Sequence, residues 1–223
     1  MLARSLISSW CNCLIQLGCA EEPLLHGAYD RVVTAYQTGD RHYHTLGHIA
    51  QVLTALDRLT VGRSKTVSEL YAAAWLHDVV YNPRATDNEW QSAQWAEVML
   101  TELGANPTCI AVVSRLILLT QSHQVSEEDW VGQLLLDADL AILGSSPALY
   151  QRYSQQIRQE YAWVDDRTYR QARCQVLTTF LQRDRIYWHP DFQAHEEQIA
   201  RQNIAAEIQR LNQATSFLSE QLQ

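Results

Sequence analysis

Two adjacent ionisable residues, His77 and Asp78, interrupt the apolar run AAAWLHDVVY at residues 72–81. Buried polar groups are costly unless they are paired, hydrogen-bonded or bound to a metal. An imidazole and a carboxylate in such a setting therefore need partners. Two other apolar stretches are broken in the same way. RHYHTLGHIAQVL (41–53) places His44 and His48 four residues apart, on one face if both are helical, with His48 inside the stripe of Leu46, Ile49 and Val52. LLLDADLAIL (134–143) carries Asp137 and Asp139. Three apolar segments that each hold ionisable groups point to one shared site rather than to three separately satisfied cores.

Two imidazoles and two carboxylates make a mixed nitrogen and oxygen donor set. Such a set suits a divalent manganese, iron, cobalt, nickel or magnesium ion with open positions for water, more than thiolate-held zinc. An ion of this kind polarises a phosphoryl oxygen and lowers the pKa of bound water towards about 7. The five cysteines, at 11, 13, 19, 109 and 174, are odd in number, and three crowd the N-terminus. They form no disulfide framework, and a reducing cytoplasm is the expected setting. Cys11, Cys13 and Cys19 as metal thiolates are the alternative to ordinary helix packing, but they lack a second pair at zinc-finger spacing.

The order His48, then the adjacent pair His77-Asp78, then an aspartate before a leucine resembles the HD superfamily of metal-dependent phosphohydrolases, which are helical proteins. Matching HIAQVL, AAWLHDVVY and DADLAIL onto that pattern implies His48, His77, Asp78 and Asp139 as metal ligands. Asp137 is the competitor for the fourth position. It lies two residues away and so on nearly the opposite side of a helix. The strings RHYHTLGH, HDVVYNP, DNEWQSA, DADLAILG, IRQEYAWV and ARQN, across about residues 25–210, are also similar to an uncharacterised bacterial family of predicted HD-superfamily phosphohydrolases.

Several further residues have two readings each. His44 either faces the substrate or supports His48, or is a loop histidine bonded to backbone. Arg41 either grips a phosphate bidentately or is an exposed charge at a helix start. Glu89 fits a capping box with Thr86, against a part in orienting water. His123 is an extra ligand or a general acid, or else a histidine meeting the dipole at a helix C-terminus. Arg158, three residues before Tyr161, is a structural ion-pair partner or a substrate clamp. The tryptophans, Trp75, Trp90 and Trp95 among them, are expected in the core or in helix seams.

The elements that must position these groups read as helices throughout. Leu46, Ile49, Val52, Leu53, Leu56 and Leu59 form one apolar stripe, and Leu70, Ala73, Ala74, Leu76 and His77 form the next. Thr86 and Glu89 are expected to open a helix that runs to a C-cap at Gly104, and Pro107 suits a first turn. Ser126 with Asp129 opens the segment that carries Asp137 and Asp139. Later helices are expected over roughly 147–162, 166–184 and 194–221. Nothing alternates with period two, so the fold class is all-α, an HD-type helical bundle.

A single domain over 1–223 is expected, with an N-terminal helix (about 1–20) and a C-terminal helix (about 191–223) packed on it or extending from it. The first twenty residues also resemble a signal peptide. Ser8, Ser9, Asn12 and Gln16 dilute that stretch, while Leu6, Trp10, Leu14 and Leu17 recur at helical spacing, so an amphipathic helix is the reading. Apolar residues make up 47% of the chain, ample for a core, but no run approaches the roughly 18 residues of a membrane span.

Seventeen basic against 25 acidic residues, a net charge of -8, argue against a nucleic-acid polymer as partner. The function implied is hydrolysis of a small phosphate ester, nucleotide-like esters among them, by a cytoplasmic metal-dependent enzyme. A two-iron oxygenase that recruits His44, His123 or Asp137 is the alternative, and a non-catalytic module that holds a metal for structure is a third. Ile204, Ile208, Leu211, Thr215, Leu218 and Leu222 are spaced as a heptad seam. They either pack on the chain's own core or form a homodimer contact.

Overall fold

The computed structural model describes residues 2–19, 22–62 and 68–220, with the side chains of 2–5, 22 and 214–220 left aside. Among the described residues the chain is all-α, with no strand. No described helix is long and apolar enough to cross a membrane. Expected as one domain, the chain divides into two compact units, Met1–Asp139 and Leu140–Gln223. The division falls inside DADLAIL, where no glycine, proline or polar linker marks it.

The first unit holds α1 (Leu2–Gln16), α2 (Glu22–Gln37), α3 (Leu46–Leu59), α4 (Ser68–Leu76), α5 (Asn88–Glu102), α6 (Pro107–Leu119) and α7 (Trp130–Asp139). At its centre is α4, which packs against α1, α3, α5, α6 and α7. A helix covered on all sides must be apolar all round, and Leu70, Ala72, Ala73, Ala74, Trp75 and Leu76 are fully buried. The alanines let five neighbours approach closely. The amphipathic α3 buries Ile49, Val52, Leu53, Leu56 and Leu59, while Leu46 at its start is half-buried.

The helix ends follow local rules with two adjustments. Thr45 caps α3 by accepting from the Gly47 amide at 3.2 Å, and Asn106 caps α6 ahead of Pro107 by accepting from Thr108. Gly104 follows α5 in the left-handed region, φ 77°, as a C-terminal glycine should. The cap of α5, however, is Asp87 rather than Thr86, and it makes no side-chain cap bond, so the capping box does not form. For α7 it is Asp129 rather than Ser126 that accepts from a helical amide, that of Gly132, at 3.1 Å. Trp75 lies in the core as expected and Trp95 is half-buried, but Trp90 is largely exposed.

The second unit opens with the 3₁₀ turn Leu140–Gly144 and continues through α8 (Pro147–Glu160), α9 (Asp166–Leu181), α10 (Pro190–His195) and α11 (Glu197–Glu220). The continuous C-terminal helix expected over about 191–223 is broken at Glu196. There the Glu197 carboxylate folds back to accept from the amides of Ile186 and Tyr187, at 3.0 and 3.1 Å, and pairs with Arg201 at 2.8 Å. An acidic side chain in a first turn also meets the positive end of the helix dipole, so Glu197 starts α11 afresh. Of the heptad seam, Ile204 is fully buried within this unit and Ile208 and Leu211 are half-buried. The side chains of Thr215 and Leu218, and all of Leu222, lie outside the described residues.

Candidate metal centre

His77 and Asp78 sit just beyond the C-terminal end of α4 rather than within it. Pro83 disfavours helix at Asn82, and the Asn82 side chain accepts from the Arg84 amide at 3.0 Å, closing a local turn. A helix leaves its last four carbonyls without intrahelical partners, and the end of α4 is buried, so each needs another donor. Ala73 O accepts from the His77 amide at 2.9 Å, and Ala74 O from His77 Nδ1 at 3.0 Å. Trp75 O accepts from the Tyr36 hydroxyl at 2.9 Å, and Leu76 O from the Val79 amide at 3.2 Å. Satisfying this buried helix end thereby orients the His77 ring.

The turn that follows is clamped from two sides. Arg41 donates from Nη1 to Asp78 O at 2.8 Å and His44 O at 2.9 Å, and from Nη2 to Val79 O at 2.9 Å. Its guanidinium lies over the rings of Tyr36 and Tyr81. From α5, Asn88 brackets Asn82 through both amide atoms, and Ser92 Oγ bonds Val80 N and O at 3.1 and 3.2 Å.

Two ring nitrogens and a carboxylate oxygen from each aspartate then come together. His48 Nε2 and His77 Nε2 are 3.2 Å apart. Asp78 Oδ2 lies 3.5 and 3.2 Å from them, and Asp139 Oδ1 lies 3.1 and 3.4 Å from them. Metal bonds of about 2.1 Å place neighbouring donors about 3.0–3.4 Å apart in octahedral or tetrahedral arrangements. The donor atoms of His48, His77 and Asp78 all lie within 4.8 Å of one another and make a candidate site for a small divalent ion, with Asp139 against both imidazoles. The rings are buried, with 2% and 1% side-chain exposure, whereas the carboxylates keep 14% and 12%. An ion held there would be gripped from the core by nitrogen and reached from outside past oxygen.

The donor chemistry agrees with this fit. A ligating histidine ordinarily donates its other ring N–H to a carbonyl or carboxylate, and His77 Nδ1 does so to Ala74. The His48 ring, whose buried Nδ1 has no hydrogen-bond partner among the described residues, is held instead by packing, with the Tyr43 ring centre 4.8 Å away. Burial alone would push His77 towards neutrality, but the carboxylates of Asp78 and Asp139 hold it protonated well above the usual histidine range. Burial likewise opposes charge on the two aspartates. The positive field of His77, with His44 and His48 at Asp78 and hydrogen bonds from His123, His48 and His77 at Asp139, keeps both far below the usual carboxylate range.

A stability profile follows from these signs. A raised His77 contributes stability that is fully present below the ordinary histidine pKa of about 6.5 and is lost as pH rises through its folded value. The depressed aspartates contribute above about 4 and lose that contribution as pH falls further. With chelator present, the thermal midpoint is expected to be highest between about pH 4.5 and 6.5 and to decline on the alkaline side. His77→Gln should lack the alkaline decline, and a wild-type profile that is flat from pH 6 to 9 would contradict the assignment.

The remaining sequence candidates divide. His123 is brought in, with Nε2 2.9 Å from Asp139 Oδ2. His44 is half-buried, stacked on Tyr81 at 4.2 Å between ring centres, and near enough to Asp78 to lower its pKa. Arg41 is neither an exposed charge nor aimed by these contacts at a ligand, since it ties the site's turns together. Asp137 is completely buried on α7, two residues before the aspartate that reaches the imidazoles. Glu89, half-buried in the first turn of α5, makes no hydrogen bond to the centre's groups.

Arg158 belongs to the second unit. There it donates to Tyr161 O and Val164 O, pairs with Asp166 at 2.7 Å and lies over the Tyr169 ring, joining the end of α8 to the start of α9. Cys13 donates to Trp10 O, and burial holds its thiol protonated, so the N-terminal cysteines supply no thiolate site among the described residues.

Tyr36, Asn88 and Ser92 were not among the sequence candidates. A signal for two of them exists: Asn88 and Ser92 are four apart on one face of DNEWQSA, directly after the Asn-Pro turn they hold. Comparison of the chain with family models, curated proteins and solved structures finds no match, and the centre is read on its own chemistry.

Proposed function

We propose that the protein is a divalent-metal-dependent phosphohydrolase acting on small phosphate esters, nucleotide-like esters among them. The observation that supports this reading is the grouping of His48, His77 and Asp78, with donor atoms 3.2–3.5 Å apart, and of Asp139 at 3.1 and 3.4 Å from the two imidazole nitrogens. When bound, a divalent ion supplies Lewis-acid polarisation of a phosphoryl oxygen and activation of water at neutral pH. The chain's own residues supply the rest. His48 and His77 would hold an ion from the inner side, where their burial excludes water, and Asp78 and Asp139 would neutralise its charge from the outer side. Arg41, Asn88 and Ser92 keep the Asp78 turn in place. His44, stacked on Tyr81 and close enough to lower the Asp78 pKa, is the residue assigned to contact an incoming ester.

The test is a panel of aryl phosphate and nucleoside mono-, di- and triphosphates, incubated with protein loaded with manganese, iron(II), cobalt, nickel or magnesium. Released phosphate is the readout. Turnover of at least one ester is expected, abolished by chelator and absent in His48→Ala. Tight metal binding with no ester turned over would sink the hydrolase reading in favour of a module that holds its ion for structure. Two irons per chain would move the assignment to the two-iron oxygenase.

A further inference from the structure

His123 is the one non-glycine residue with positive φ among the described residues, at 49°. For a residue with a Cβ this region is sparsely populated, and such strain persists only where surrounding structure over-determines it. Two of its contacts bear on that conformation. Its amide donates to Leu119 O at 3.0 Å, closing the turn after α6, and its Nε2 reaches Asp139 Oδ2 at 2.9 Å. A glycine or asparagine would make that turn with less strain, so the turn alone does not explain a histidine.

Asp139 shows what the histidine supplies. Its Oδ1 faces both buried imidazoles, at 3.1 and 3.4 Å, and its Oδ2 faces His123. A carboxylate only accepts, so Nε2 is the donor. With Oδ2 engaged, rotation of the carboxylate is blocked, and Oδ1 is directed at the two imidazole nitrogens. The side chain of His123 is 22% exposed, against 2% and 1% for the two imidazoles, so it stands at the outer edge of the centre.

We infer that His123 is a positioning residue: its strained backbone aims Nε2–H at Asp139 Oδ2, pinning that carboxylate as a one-oxygen ligand of the metal centre. The inference rests on the metal reading above and adds a role that the four donors do not require. It assigns His123 to holding Asp139 rather than to binding an ion of its own.

Three substitutions separate the parts. His123→Gln places an amide N–H close to the position of Nε2 and keeps the donor. His123→Ala removes the donor and keeps the strained backbone, whereas His123→Gly removes both. Manganese and cobalt affinity and stoichiometry are measured by calorimetry on the full-length protein, with the visible spectrum of the cobalt form as a report on ligand geometry and the metal-free thermal midpoint as a report on the fold. Loss of an outer hydrogen-bond partner of a ligand ordinarily weakens metal affinity about 10–100-fold. That loss is expected for both Ala and Gly, with an altered cobalt spectrum and unchanged stoichiometry, and with Gln within a few-fold of wild type.

The metal-free midpoint of the Gly variant should equal or exceed that of Ala, so that affinity and stability move apart. A purely structural role would weaken binding only in step with stability. That result, or wild-type affinity in both Ala and Gly, overturns the inference. A fall from two ions to one in the Ala variant would also overturn it, by making His123 a ligand. If the unmodified protein binds neither ion, the metal reading fails and this inference with it.

Discussion

Replacing His77 or Asp78 with alanine is expected to lower divalent-metal affinity by more than about 100-fold while leaving the far-UV helical signal intact. The magnitude follows because outer partners of metal ligands are each worth about 10–100-fold, and these residues are proposed to contribute donor atoms directly. The helical signal should survive because the first unit is held by Leu70, Trp75, Ile49, Leu56 and their neighbours, all fully buried and independent of any ion. Asp139→Asn belongs to the same experiment, since an amide cannot neutralise a dication, and should approach the same loss. Asp137→Asn should cost about 100-fold or less through indirect effects. Equal metal content in wild type and both alanine variants would remove the ligand assignment, and a larger effect at Asp137 than at Asp139 would transfer the fourth position between them.

The second large effect lies in the other unit and concerns stability alone. Glu207 is 2% exposed and is gripped by Arg173 at 2.9 Å and by the Tyr150 hydroxyl at 2.6 Å, with the Arg173 guanidinium over the Tyr153 ring. Burial works to raise the Glu207 pKa, but Arg173 and the hydrogen bonds override it and keep the carboxyl below its ordinary value. Removing one partner of a buried pair leaves an uncompensated charge, a loss of about 3–5 kcal/mol. Glu207→Ala should therefore lose about that much in urea unfolding. The combined change Arg173→Met, Glu207→Leu, Tyr150→Phe and Ser154→Ala removes both charges and the two hydroxyls that would otherwise lose their acceptor, and it should recover most of the stability. If Glu207→Ala costs under 1 kcal/mol, the pair is solvated and its burial is not what holds these helices together.

Much of this was legible in the residue order. The apolar stripes of α3 and of the segment that becomes α4 follow from a helix repeating every 3.6 residues, so what faces a core is written in the chain at short range, whereas the burial of α4 on every side came with the packing. The same property made the HD pair conspicuous, because ionisable groups in such a run need partners, and it limited those partners to the two other broken apolar stretches. Gly104 and Pro107 likewise act through their own backbone, and their roles read directly from their types.

The tertiary structure decided what depends on groups distant in the chain. Arg41 reads as a phosphate ligand or a surface charge until the carbonyls of Asp78 and Val79, 37 and 38 residues away, arrive beside it. Glu197 breaks an otherwise continuous helix because the amides of Ile186 and Tyr187 offer a better use for its carboxylate than solvent does. Asp139 and Asp137 differ by two positions, and periodicity says only that they oppose each other. Which of them meets the imidazoles depends on how α7 is rotated against α3 and α4. His123 shows the limit most clearly, since nothing local in LLTQSHQ foretells a left-handed backbone. That conformation is held by the turn after α6 together with a bond to a residue sixteen positions on. Local patterns specify which surfaces are buried, whereas long-range hydrogen bonds, formed only once those surfaces have packed, specify which polar group each buried residue meets.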